Sequence, residues 1–145
     1  MQGSGTFGVE SVITSVINEN GKLLIIANGA YGERMADIAE HAGIPYEIYR
    51  EDYRKVPQAA VVEKILREDP AITHAAMVHS ETTSGILNDI EAIASVVKEY
   101  NKTLIVDAMS SFGGVDIEVG QLGIDFLISS ANKCIQGVRA FFIIA

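Results

Sequence analysis

The chain has 145 residues, 48% hydrophobic and 21% charged, enough for one compact domain with a buried core. Its net charge of -8 speaks against a nucleic-acid partner, because phosphate binding calls for a basic surface. No apolar run approaches the roughly 18 residues of a membrane span, the start shows no signal peptide, and the lone Cys134 excludes an internal disulfide. No membrane partner and a cytoplasmic location are therefore expected.

A glycine-rich turn at Gly3 to Gly5 leads into Val9 to Ile17, whose apolar residues recur at helical spacing, with Gly21 placed to end the helix. Leu23 to Ala27 is a continuous apolar run, the mark of a strand buried on both faces. A helix from about Glu33 to His41 follows, then a weaker strand at Tyr46 to Tyr49 and a helix from Pro57 to about Glu68. The strand Ala75 to Val78 opens into a polar loop, His79 to Gly85. Next come a helix from about Asp89 to Tyr100, the strand Thr103 to Val106, a helical turn near Val119 to Leu122, and the strand Phe126 to Ser129. The run Phe141 to Ala145 has strand character again, and both ends of the chain look cut. Strands alternating with helices predict a three-layer α/β/α domain with a mostly parallel sheet.

In such a sheet, ligands sit beyond the carboxyl ends of the strands. Polar and glycine residues gather there: Asn28-Gly29, His79 to Gly85, Asp107, and Ser130 to Lys133. Asp107 ends a buried strand, where a carboxylate faces a large desolvation cost unless donors or a cation meet it; a loop cap is the other reading. Lys133 follows the next long strand, so one crossover brings both to the same edge. A carboxylate and a lysine in one crevice suit pyridoxal 5'-phosphate, the first keeping the ring nitrogen protonated and the second holding the aldehyde as an imine. A structural ion pair between them stays open.

Gly3-Ser4-Gly5-Thr6 before a helix is either an anion site or a terminal turn with Thr6 as N-cap. Tyr31, in Gly29-Ala30-Tyr31-Gly32, could stack on a flat ring or simply pack. His79, Glu81, Thr82 and Thr83 offer polar contacts, but nothing has metal-ligand spacing and no metal is expected. Cys134 reads as a small buried residue. No G-x-S-x-G elbow supports a hydrolase.

Five stretches carry a resemblance. They are Gln2 to Thr6, Asn28 to Arg34, His79 to Gly85, Val106 to Gly114 and Ser129 to Gly137. In this order they closely resemble the class V aminotransferases of fold type I pyridoxal-phosphate architecture, in particular the branch acting on 2-aminoethylphosphonate and pyruvate. The resemblance implies that Lys133 binds the cofactor and shuttles the proton, and that Asp107 pairs with its ring nitrogen. It places Ser4, Gly5, Thr6 and Asn132 at the phosphate, Tyr31 and Met109 on the two ring faces, and Thr82 near the phenolic oxygen. Arg34 is expected in a structural ion pair. Residues 1–145 would be part of a large domain, with an N-terminal segment and a C-terminal small domain missing. The small domain is expected to bring the arginine that grips the substrate, and the whole enzyme to be a homodimer. Arg139-Ala140 replaces an expected Pro-Gly, and the isolated chain is expected to be inactive. The competing readings are an alanine–glyoxylate or serine–pyruvate type aminotransferase, or a non-catalytic remnant.

Overall fold

The computed structural model describes residues 4–137 and the strand 142–144. The expectations resting on Gln2-Gly3, Arg139-Ala140 and the outermost residues of the last strand lie outside the described residues.

The main sheet contains β1 (Leu23–Ala27), β2 (Tyr46–Arg50), β3 (His74–Val78), β6 (Thr103–Asp107), β7 (Phe126–Ser130) and β8 (Phe142–Ile144), in the order β2-β1-β3-β6-β7-β8. The first five run parallel and β8 pairs antiparallel with β7. Helices α1 (Gly5–Val16) and α2 (Ala30–His41) cover one face, while α3 (Ala59–Glu68), α4 (Ile90–Glu99) and the short α5 (Val119–Leu122) cover the other. Strand β1 shows why its sequence is an unbroken apolar run. Leu23, Ile25 and Ala27 pack toward α1 and α2, Leu24 and Ile26 pack toward α3 and α4, and all five are buried. Strand β2 reads more weakly because it lies at the sheet edge and its residues are only half-buried or exposed.

Two differences from the expected elements matter for the site. The segment read as a polar loop contains a two-stranded antiparallel hairpin, β4 (Ser80–Glu81) with β5 (Ile86–Leu87). Strands of two residues are too short for a periodic signal. Helix α1 also begins at Gly5 rather than near Val9, because Ser4 caps it by accepting from the Phe7 amide at 3.3 Å. The capping residue is thus Ser4, not Thr6.

The chain passes outward from β1 to β2 and then returns to β3 on the far side of β1. This reversal opens a crevice at the carboxyl ends of the strands. It is pinned by a buried pair of amides. Asn88 Nδ2 donates to Asn28 Oδ1 at 3.0 Å and to the Val78 carbonyl at 2.8 Å, and Asn28 Nδ2 donates to Asn88 Oδ1 at 2.8 Å and to the Lys55 carbonyl at 2.9 Å. Asn88→Ala leaves the Val78 carbonyl and one face of Asn28 unpaired in a buried setting. A loss of about 1–3 kcal/mol is expected in urea unfolding of a full-length protein carrying this chain. An unchanged midpoint would show that water replaces the amide.

Candidate active site

The end of β6 places Asp107 on the face covered by α1 and α2, at the carboxyl edge of the sheet. Two clefts meet there. One is lined by Thr6, Tyr31, Arg34, Asp107 and Met109 among others. The second is lined by Tyr31, Ser80, Asp107, Met109, Ser110 and Lys133 with Val78. Tyr31, Asp107 and Met109 belong to both. The loops after four different strands therefore converge on one crevice.

Asp107 is only 5% exposed and forms no ion pair among the described residues. Its Oδ1 accepts from the Met109 amide at 2.9 Å, so the loop-cap reading holds for one oxygen. Burial pushes its carboxyl up to about 6; the Met109 amide opposes this, and the neighbouring Glu81 carboxylate adds to it. A buried carboxylate without a cation is costly. The ion pair with Lys133 is not built: Lys133 stands exposed in the turn after β7, sharing the second cleft with Asp107.

The N-terminus of α1 faces the first cleft through Thr6, and its first turn carries no acidic side chain. Gly5 lies against Met109 so closely that a Cβ would overlap the Met109 thioether. Tyr31 is 36% exposed, and the Arg34 guanidinium lies over its ring at 5.4 Å from the centroid. Arg34 also donates from Nη1 to Thr6 Oγ1 at 3.2 Å. The structural ion pair expected of Arg34 is absent among the described residues, since Glu33 of the same helix pairs with Arg50 instead.

Of the residues singled out, Thr6, Tyr31, Asp107, Met109 and Lys133 come together around these clefts, with Ser4 and Gly5 at the adjoining helix start. Thr82 and Asn132 line neither cleft; both are exposed, and Asn132 Oδ1 accepts from the Ser130 hydroxyl. Cys134 is exposed rather than buried, with its thiol near the Ser110 carbonyl, because the turn after β7 runs along the surface. His79 is buried, its Nδ1 lies 2.9 Å from Ser111 Oγ, and burial lowers its proton affinity. Sequence reasoning did not find Ser80, Ser110 or the cleft position of Arg34. It also missed the burial of Glu81, although the cap-less Gly29 was a readable signal that α2 takes its cap from elsewhere. No grouping of three or more metal-ligating side chains occurs, and no helix is long and apolar enough to cross a membrane, among the described residues.

The chain is 58% identical along its whole length to a 2-aminoethylphosphonate–pyruvate transaminase of Klebsiella pneumoniae and 57% identical to one of Vibrio vulnificus, covering 40% of each. The chain thus spans about two-fifths of these curated relatives. A crystal structure of pyridoxamine-pyruvate aminotransferase from Mesorhizobium loti matches the whole chain with a TM-score of 0.93 at 27% identity, and 37% of that protein is covered. A family model described as Aminotransferase class-V matches residues 1–139, a span that includes Asp107 and Lys133. The chain belongs to the class V aminotransferase family.

Proposed function

We propose that a full-length protein carrying this chain moves the amino group of 2-aminoethylphosphonate to pyruvate, giving phosphonoacetaldehyde and alanine, with pyridoxal 5'-phosphate as cofactor. The observation that carries this reading is the buried Asp107, without an ion-pair partner among the described residues, sharing a cleft with Lys133. The names of the relatives that match along the whole chain favour the phosphonate donor over the alanine–glyoxylate and serine–pyruvate alternatives.

The residues present fit the cofactor. Asp107 would face its ring nitrogen and hold a proton there, which also relieves the cost of an unpaired buried carboxylate. When bound, the cofactor supplies an electron sink for the carbanion left after the substrate Cα loses its proton. Lys133 Nζ would hold the cofactor at its aldehyde carbon and would carry the proton to and from the substrate. Ser4, Gly5 and Thr6 would bind the phosphate at the N-terminus of α1, where amides and the helix dipole favour an anion. Tyr31 and Met109 would lie on the two faces of the ring. Thr82 and Asn132 are assigned to the phenolic oxygen and the phosphate on the family resemblance alone. In this reading, residues 1–145 are part of a large domain, a small domain supplies the substrate-gripping arginine, and the enzyme works as a cytoplasmic homodimer.

Full-length protein incubated with pyridoxal phosphate is expected to show a visible absorbance band and to form alanine from 2-aminoethylphosphonate and pyruvate. Borohydride reduction followed by peptide mapping should label Lys133. A label on Lys22 or Lys102 would reject the assignment, and alanine formation only from other amino donors would reject the substrate.

A further inference from the structure

We propose that Glu81 is a positioning residue whose carboxylate caps helix α2 from the β4–β5 hairpin and so fixes Tyr31 at the mouth of the cleft. Its consequence for the cofactor rests on the function proposed above; the latch itself does not.

Helix α2 begins after Gly29, which has no side chain to satisfy the helix's first amides. Glu81, some fifty residues later, is wholly buried and does so instead. Its Oε2 accepts from the Tyr31 amide at 3.1 Å and the Gly32 amide at 3.4 Å. Its Oε1 accepts from the Thr83 amide at 3.2 Å and the Thr83 hydroxyl at 2.6 Å, and that hydroxyl accepts from the Ala30 amide at 3.2 Å. A buried carboxylate persists only where donors meet it, and here four donors and the positive end of a twelve-residue helix do.

The fit leaves no slack. A Cβ on Gly29 would collide with Cγ and Cδ of Glu81, so the glycine is required by close approach rather than by its backbone angles. The two ends of the latch reach one cleft. Tyr31, in the first turn of α2, and Ser80, the residue before Glu81, both line the same cleft as Lys133. Arg34 holds the Tyr31 ring and bonds Thr6, so the ring is fixed by its own helix and its backbone by the hairpin. A cap of purely structural importance would alter stability alone; this one sets where an aromatic ring stands.

The test uses the full-length protein. In the cofactor-free state, Glu81→Ala is expected to speed hydrogen exchange at the Tyr31 and Gly32 amides at least tenfold, with β1 and β6 amides unchanged. Glu81→Met fills the same volume with no acceptor and gives the same result should the alanine variant not fold. Glu81→Gln keeps an oxygen for the helix and should stay within about threefold of the parent protein. With pyridoxal phosphate added, the induced circular dichroism of the visible band should fall by more than half in the alanine and methionine variants and recover in the glutamine variant. Unchanged exchange at Tyr31 and Gly32, or an unchanged dichroic band in those variants, overturns the proposal. If the parent protein shows no visible band, the cofactor reading fails, and exchange in the cofactor-free protein decides the latch by itself.

Discussion

Lys133→Ala, in a full-length protein carrying this chain, is expected to lower amino transfer by at least about 10²–10⁴-fold, the loss associated with removing a positioned proton carrier. Loss of the covalent link adds to this, since the same Nζ is assigned both tasks. Cofactor affinity should fall much less. The start of α1 with Ser4 and Thr6, the Tyr31 ring and Asp107 all lie outside the Lys133 turn, and none depends on its side chain for a hydrogen bond among the described residues. Lys133 is also exposed, so the variant should unfold at nearly the parent's temperature. The decisive measurement is a single-turnover alanine assay beside equilibrium dialysis with the cofactor. Near-parental turnover would remove Lys133 from the chemistry, and equal losses of binding and turnover would reduce it to a binding contact.

Asp107→Asn should act in two opposite directions. Turnover is expected to drop by about 10²–10³-fold, the range for losing one preorganised electrostatic partner of developing charge. In the proposed reading, a neutral amide would not hold a proton on the cofactor's ring nitrogen. Stability of the cofactor-free protein should instead rise. The Asp107 carboxyl is pushed from 3.8 up to about 6 by folding, so the folded state holds this proton more tightly than the unfolded chain does. Its contribution is therefore fully present below about pH 3.8 and is lost as pH climbs through about 6. The difference between 3.8 and about 6 corresponds to about 3 kcal/mol at neutral pH. Urea titrations between pH 4 and pH 8 should show this slope in the parent and its loss in the asparagine variant. A variant that is less stable at pH 7 would mean that the Met109 cap outweighs the burial of charge.

The parallel core was open to reading because it depends on local pattern. Leu23 to Ala27, Ala75 to Val78 and Thr103 to Val106 are continuous apolar runs, and burial on both faces demands that composition wherever the strands lie in the sheet. The edge position of Asp107 and Lys133 was legible for a related reason: a charge at or shortly after the end of a buried strand sits at the sheet's carboxyl edge. The edge strand β2 was fainter because only part of its surface meets the core. The hairpin β4–β5 was invisible, since each strand has two residues and derives its pairing from neighbours in space.

By itself the sequence determined the alternation of strands and helices and the edge on which the polar residues gather, Asp107 and Lys133 among them, since each follows from spacing along the chain. Tertiary structure alone decided what meets them. It buried Glu81 beneath α2, set Arg34 on the Tyr31 ring, exposed Cys134, and gave Asp107 no ion-pair partner among the described residues. Those outcomes depend on the meeting of segments that lie far apart in the chain, and no local spacing records which buried donor a distant carboxylate will find.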